Sequence, residues 1–328
     1  MAGSRTEQSY LPQEGTPCNA RGIDRFCAMT GDRLNRGVGR AMHFDSLETF
    51  LRDGKDLLAK GPVGVILVED AVEVDSTIRH HLDAGFRCLL VFASAEIRLN
   101  ITPGPKVVRI DLDMLREQAF EKVMNAVIAA APGTWLYYCY NAEYLFYPFC
   151  EHRSVGEMIT YAAEERRDTV LTYVIDLYAG DLWAHPTAVS LEDAHLDKSG
   201  YYALARSDRT NTIQERQLDF FGGLRWRFEE HVPAPRRRID RVGLFKAKPG
   251  LRLGADHLFN DPEYNTYACA WHHSLTGTIC SFRTAKALKR NPGSTFDIQS
   301  FRWHNSAPFD WHSQQLLDLG LMEPGQWF

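Results

Sequence analysis

Two short, almost uninterrupted apolar runs, at residues 63–68 and 88–93, lie on either side of a segment with helical spacing. Apolar runs of this length, bounded by turn residues, are typical of strands that are buried on both faces. Such strands usually pair in parallel, and a parallel pair needs a long crossover that is commonly a helix. The order strand, helix, strand therefore predicts an α/β fold with a mostly parallel, Rossmann-like sheet flanked by helices.

The same pattern continues along the first half of the chain. Apolar spacing predicts strands at 107–110, 135–140 and 169–176, and helices near 45–58, 74–84 and 115–130. Ser46 or Asp45 is expected to cap the first helix. Gly85 is expected to end the second, because glycine readily adopts the left-handed conformation that follows many helices.

The regularity of the pattern divides the chain into three parts. Residues 1–44 show no sustained period, so we expect a poorly ordered N-terminal arm. Residues 45–180 carry most of the predicted strands and helices. Residues 181–328 alternate between loops and short aromatic segments, which predicts an irregular C-terminal extension of the same domain.

Composition excludes several classes of protein. A hydrophobic fraction of 45% and a charged fraction of 24% are ordinary for globular chains and argue against disorder. The net charge of −5 argues against a nucleic-acid partner. No apolar run approaches the length of a membrane span, and the first residues do not read as a signal peptide. We therefore expect a soluble, cytoplasmic protein whose seven cysteines are reduced.

Polar side chains follow two of the predicted strands. Glu69 and Asp70, with Glu73 close behind, come after the first strand, and Asn141 and Glu143 come after the strand that begins with a tryptophan. In open α/β sheets, ligands bind beyond the carboxyl ends of the strands. These side chains are therefore candidates for a ligand site.

Asn141 and Glu143 could hold a metal ion. They stand two positions apart, so they would face the same side of an extended chain. Amide and carboxylate oxygens suit Mg²⁺ or Mn²⁺, which neutralise charge on a leaving phosphate. The simpler alternative is that Glu143 is a solvated residue in a turn. His273, in the pair His272-His273, is a further metal or phosphate candidate, with a hydrogen-bonded turn as the alternative.

Positive charge is concentrated in the second half of the chain. Residues 206–252 hold twelve Lys and Arg against six Asp and Glu, which predicts that any anionic partner binds there. Arginine can clamp phosphate with two parallel hydrogen bonds. The candidates are Arg225, Arg227, Arg236, Arg237, Arg238 and Arg241. The alternative is a solvated or membrane-facing basic surface.

Three acids are candidates for a general base. Asp176 ends a predicted strand, and Glu229 and Glu230 lie in the basic segment. A carboxylate can take a proton from a hydroxyl that lies within hydrogen-bond reach. The motifs of serine hydrolases, P-loop NTPases, dinucleotide-binding enzymes and zinc proteases do not occur in the chain.

The arrangement resembles the family 2 glycosyltransferases of the GT-A fold over residues 63–291. The matching residues in the first half are Glu73, His81 and Gly85, followed by Trp135 and the segment 141–145 in place of the family's D-x-D-E-F-L motif. Near the C-terminus the matching residues are His273, Phe282 and Lys286.

The resemblance implies that a sugar is moved from a nucleotide diphosphate-sugar, commonly with Mn²⁺ or Mg²⁺. Residues 45–180 would be the nucleotide-sugar-binding half and residues 181–328 the acceptor side. Donor contacts would come from Glu69, Asp70, Glu73, Arg225 and Arg227. Metal contacts would come from Asn141, Glu143 and His273.

The resemblance also implies an inverting displacement with a carboxylate base, for which we name Asp176 first and Glu230 second. The acceptor would be a glycan or a lipid-linked molecule used in polysaccharide biosynthesis. Such an acceptor would place the protein at the inner face of the membrane, with peripheral membrane contact.

Two departures from the family pattern keep other functions open. Asn141 stands where the family has an aspartate, and Ala93-Ser94 replaces an Asp-x-x-Ser segment. The first alternative is therefore a catalytically degenerate, GT-A-like binding or scaffold protein. A second alternative is a hydrolase of phosphoanhydrides that uses the same residues.

Overall fold

The computed structural model describes residues 42–208, 210–267 and 274–327, and all structural statements below concern these residues. The strands are β1 His43–Phe44, β2 Val63–Leu67, β3 Cys88–Ala93, β4 Val107–Asp111, β5 Trp135–Tyr140, β6 Glu143–Phe146, β7 Thr169–Asp176, β8 Tyr178–Ala179, β9 Ala194–Asp197, β10 Tyr202–Ser207, β11 Ile213–Phe221, β12 Asp240–Lys246, β13 Gly277–Ser281 and β14 Ser306–Pro308.

The α-helices are α1 Leu47–Asp53, α2 Val74–Asp83, α3 Ala119–Ala130, α4 Val155–Glu164, α5 Leu224–Arg227, α6 Arg283–Arg290 and α7 Ser313–Asp318. The predicted first helix ends early, because the chain tightens into a 3₁₀ helix at Lys55–Ala59. Its N-cap is Ser46, whose hydroxyl accepts a hydrogen bond from the Thr49 N–H. None of the helices in the described residues combines the length and the apolar composition that a membrane crossing needs.

Nine of the described strands form one sheet, in the order β1-β4-β3-β2-β5-β12-β7-β13-β6. Strands β12 and β6 run antiparallel to their neighbours, and the other seven share one direction. The predicted α/β class with a mostly parallel sheet is therefore confirmed.

Alternate residues of the central strands pack into two cores, one on each face of the sheet. Val65 and Leu67 of β2 belong to one core, whereas Ile66 and Val68 belong to the other. Helix α3 packs on the first face, and α2 and α4 pack on the second. Because both faces are covered, the central strands are apolar along their whole length.

Residues after position 181 contribute to the centre of the sheet as well as to its periphery. Strand β12 lies between β5 and β7, and β13 lies beside β7. The remaining strands of this region form a hairpin, β10–β11, and, together with β8, a small sheet in the order β14-β9-β8. At the other end, His43 and Phe44 pair with β4, so this end of the predicted N-terminal arm lies in the sheet. Residues 1–41 lie outside the described part of the chain.

Candidate functional site

The carboxyl ends of β2, β5, β7 and β13 lie at one edge of the sheet, and the antiparallel β12 begins there. This edge carries Glu69 after β2, Asn141 after β5 and Asp176 at the end of β7. It also carries Arg241 at the start of β12 and Arg283 directly after β13. The sheet topology thus brings Glu69, Asn141 and Asp176 to the same edge as two arginines that come more than 60 residues later in the chain.

Asn141 fixes the loop that follows β2. Its Oδ1 accepts a hydrogen bond from the Glu69 N–H at 2.9 Å. Its Nδ2 donates to Asp70 Oδ1 and to the Val72 carbonyl, both at 2.8 Å. The Asn141 side chain is fully buried, so the amide joins the ends of β2 and β5 and positions both acids.

Glu143 forms a buried ion pair with Arg241. The guanidinium donates to both carboxylate oxygens, at 2.6 Å to Oε2 and 3.2 Å to Oε1. The Tyr140 N–H and the Ser281 hydroxyl donate two further hydrogen bonds to the same carboxylate. Burial opposes ionisation, but the charge of Arg241 and these hydrogen bonds outweigh it and lower the pKa of Glu143 to about 2.

The residues named as metal ligands do not fit a divalent cation in this arrangement. Both Glu143 oxygens and Asn141 Oδ1 accept hydrogen bonds from protein donors, and neither side chain is exposed. Among the described residues there is also no group of three or more His, Cys, Asp or Glu that could hold a metal ion. The third predicted ligand, His273, lies outside the described residues.

Glu69 and Arg283 form a second ion pair, and this one is open to solvent. Arg283 Nε and Nη2 donate to the two Glu69 oxygens at 2.8 and 2.7 Å. The guanidinium carbon lies 3.6 Å from the centre of the Tyr140 ring, a close cation–π contact. The Arg283 side chain is 31% exposed and that of Glu69 is 20% exposed.

Asp70 is held by two cations of helix α6. Lys286 Nζ lies 3.1 Å and Arg290 Nη1 lies 2.6 Å from Asp70 Oδ2. The Val72 N–H and the Asn141 amide donate to Oδ1. Burial opposes ionisation of Asp70, but the charge of Lys286 and these hydrogen bonds lower its pKa.

Asp176 is buried with one oxygen free of hydrogen bonds. Its Oδ2 accepts from the Arg225 N–H at 3.4 Å. Its Oδ1 lies 3.4 Å from Arg225 Nε, so the two groups form an ion pair. This oxygen is buried and accepts no hydrogen bond from the described residues. Burial raises the pKa of Asp176, and the Arg225 charge offsets this only in part.

Gly222 and Gly223 bring Arg225 to Asp176. Both have positive φ, at 153° and 63°. A Cβ on Gly223 would lie 3.0 Å from Asp176 Oδ2, and one on Gly222 would lie 2.2 Å from the Tyr201 ring. Only glycine fits here, because the backbone conformation and the close approach both exclude a side chain. The paired glycines directly before Leu224 are the feature of the sequence from which this turn could have been predicted.

His257 lies on the aromatic side chains of the same edge. Its Nδ1 is 3.0 Å from the Tyr138 hydroxyl, and its ring lies 4.7 Å from Phe120 and 6.5 Å from Tyr140. Within the described residues, Nε2 has no hydrogen-bond partner. Burial lowers the pKa of His257 well below its ordinary value, and nearby arginines lower it further. These arginines are Arg241, Arg283, Arg225 and Arg238.

Three other predicted site residues have different surroundings. Glu73 begins α2 in a left-handed conformation and accepts a hydrogen bond from the Ser76 hydroxyl. Arg227 pairs with Asp197 at 3.1 Å. Glu230 is 62% exposed and lies 3.8 Å from a histidine nitrogen on its own 3₁₀ helix. In the described part of the chain, neither Arg227 nor Glu230 is hydrogen-bonded to the residues of the sheet edge.

Arg283, His257 and the glycine pair are site residues that the sequence did not predict. Arg283 and His257 are single residues without a motif, and their places depend on the order of the strands. A comparison with protein families matched no family model, and no curated protein matched the chain in sequence. The structure thus shows an α/β protein with a mostly parallel sheet and a charged carboxyl edge, and the resemblance to glycosyltransferases stays a prediction.

Proposed function

We propose that the protein is a glycosyltransferase that moves a sugar from a nucleotide diphosphate-sugar to a hydroxyl of a glycan or lipid-linked acceptor. The observation that carries this proposal is the position of Asp176. It is a buried carboxylate whose Oδ1 accepts no hydrogen bond and faces Arg225 Nε at 3.4 Å, at the carboxyl edge of a mostly parallel sheet that also carries Arg283. A base and anion-binding groups at one edge are what sugar transfer from a diphosphate requires.

The proposed reaction is a single displacement with inversion at the anomeric carbon. The acceptor oxygen forms a bond to that carbon while the bond between the carbon and the diphosphate oxygen breaks. The electron pair of the broken bond leaves with the nucleoside diphosphate. Asp176 Oδ1 takes the proton of the acceptor hydroxyl, and the raised pKa of Asp176 strengthens it as a base.

The donor is proposed to lie across the ends of β2, β5 and β13. Asn141 fixes the loop with Glu69 and Asp70, so this loop is a preformed wall for the nucleoside. Arg283 lies beside the loop and faces solvent in part, which suits contact with phosphate oxygens.

One observation favours a second function, a GT-A-like protein that binds without turnover. Asn141 and Glu143, the residues in the D-x-D positions, use their oxygens in hydrogen bonds within the protein. This second function predicts binding of a nucleotide or a glycan with no product.

The experiment is incubation of the protein with a panel of UDP- and GDP-sugars and a pool of glycan and lipid-linked acceptors, with the products identified by mass spectrometry. Acceptor-dependent release of nucleoside diphosphate, lost in Asp176→Asn, supports transfer. Binding without release supports the second function. Release of monophosphate without an acceptor indicates a phosphoanhydride hydrolase. Absence of binding across the panel would overturn the proposal.

A further inference from the structure

Building on the proposed function, we infer that Arg283 and His257 bind the diphosphate of the donor without a divalent cation, and that Arg241 acts as a positioning residue. The three side chains lie at one edge of the sheet, and their ligand is a pyrophosphate group. This mode of binding differs from the metal-assisted binding that the family resemblance implies.

Arg241 removes the charge that a diphosphate would otherwise meet. An ionised and unpaired Glu143 beside the donor would repel phosphate, and a divalent cation is one way to cancel that repulsion. Here the Arg241 guanidinium cancels it, through two hydrogen bonds in a fully buried pair. The charge of Glu143 is therefore balanced by a protein group, Arg241, and needs no metal ion.

Arg283 has the exposure and the free donor that an anion contact needs. Its Nε and Nη2 are on Glu69, whereas within the described residues Nη1 makes no hydrogen bond. The Tyr140 ring holds the guanidinium plane in place. Glu69 is 20% exposed, so water can reach its carboxylate when Arg283 contacts a phosphate.

His257 offers a second donor, beside the same Tyr140 ring. The Tyr138 hydroxyl needs an acceptor, and within the described residues His257 Nδ1 is its one hydrogen-bond partner. If the hydroxyl donates to Nδ1, the neutral ring carries its proton on Nε2, which is free to donate. The Tyr140 ring lies beside both Arg283, at 3.6 Å from the guanidinium carbon, and the His257 ring, at 6.5 Å between ring centres.

The test is isothermal titration calorimetry with three probes, inorganic pyrophosphate, UDP and GDP, first in EDTA and then with Mn²⁺. We expect binding of pyrophosphate and of at least one nucleotide in EDTA, with little change on adding Mn²⁺. Arg283→Gln should weaken binding about tenfold or more, as loss of a charge-assisted contact does. Arg283→Lys and His257→Gln should have intermediate effects.

A second variant, Glu69→Gln, distinguishes a binding role from a folding defect. It removes the carboxylate that competes with the ligand for Arg283, so it should tighten binding. If the ion pair were purely structural, replacing either partner would weaken binding. Arg87→Gln, at an exposed arginine directly before β3 and so at the opposite edge of the sheet, is the matched control and should change nothing.

Three outcomes separate the inference from the proposed function. Nucleotide binding that requires Mn²⁺ and ignores Arg283→Gln overturns the inference and leaves the proposed function standing. If pyrophosphate binds in EDTA and no nucleotide binds, the metal-free anion site stands, but a nucleotide diphosphate-sugar is not the donor. Absence of binding by all three probes in both buffers overturns both.

Discussion

Arg241 and Glu143 meet in a bidentate ion pair, 2.6 Å at its shorter contact, although 98 residues separate them in the chain. Neither side chain has appreciable exposure, at 3% for Arg241 and 0% for Glu143. The pair joins the start of β6 to the start of β12, and it occupies the position where the family resemblance predicts a metal ligand.

The buried pair should make the protein sensitive to acid. The folded-state pKa of Glu143, about 2, lies below its ordinary value of 4.5, so its stabilisation is complete above that ordinary value and is lost as the pH falls toward 2. Glu143→Gln should lose this part of the pH dependence. It should also cost roughly 3–5 kcal/mol at neutral pH, because Arg241 is left buried without its partner. Chemical denaturation of both proteins between pH 7 and pH 3 measures the difference, and parallel curves would contradict this account of the pair.

Asp176→Asn should lower the rate of transfer more than it lowers donor affinity. Loss of a general base typically costs about 100-fold or more in rate, whereas the amide keeps the shape of the side chain. In the wild type, the rate should rise with pH as Asp176 loses its proton, with an apparent pKa above the ordinary aspartate value because burial raises it. Steady-state kinetics over a range of pH test both points. If the variant keeps the same kcat and the same fall in rate at low pH, Asp176 is not the base.

Gly223→Ala should impair the site through geometry alone. The added methyl group would meet Asp176 Oδ2 at 3.0 Å and would sit on a backbone with φ of 63°. We expect a loss of stability of about 1–3 kcal/mol and a drop in transfer, because Arg225 moves away from the carboxylate. The control is Gly104→Ala, where a Cβ has open space around it. Thermal melting and activity assays should separate the two variants, and equal behaviour would refute the role of the glycine turn.

Asn141→Asp restores the residue type of the family motif and should destabilise the protein. The Asn141 amide donates to Asp70 and to the Val72 carbonyl, and an aspartate would replace both attractions by repulsion. The expected cost is roughly 1–3 kcal/mol in EDTA. Asn291→Asp serves as the control, because Asn291 Oδ1 accepts a hydrogen bond that a carboxylate can also accept. A stable Asn141→Asp variant in EDTA would show that the amide is not needed to fix the loop.

The parts of the fold that follow from local pattern were predictable from the sequence. The strands at Cys88–Ala93, Trp135–Tyr140 and Thr169–Asp176 coincide with the predicted ones, since each is a continuous apolar run between turn residues. Strand β12 was not predicted, because Asp240 and Arg241 at its start gave it the appearance of a basic loop. The charge of Arg241 is accommodated in the interior only because Glu143 lies opposite.

The residues of the candidate site were also predictable only in part. Glu69, Asp70 and Asp176 were identified from the sequence because each follows or ends a recognisable strand. Arg283 and His257 were not, because their proximity to these acids is a property of strand order rather than of spacing along the chain. When a central strand comes from the second half of the chain, no short stretch of the sequence shows which residues it brings together.

The most direct measurement for the central claim is the structure of the protein in complex with the nucleoside diphosphate that binds best in EDTA. We expect a diphosphate at the carboxyl edge of the sheet, within hydrogen-bond distance of Arg283 Nη1 and His257 Nε2. Glu143 should still be paired to Arg241. A diphosphate bound elsewhere, or one bound through a metal ion on Glu143 with Arg241 displaced, would contradict this expectation.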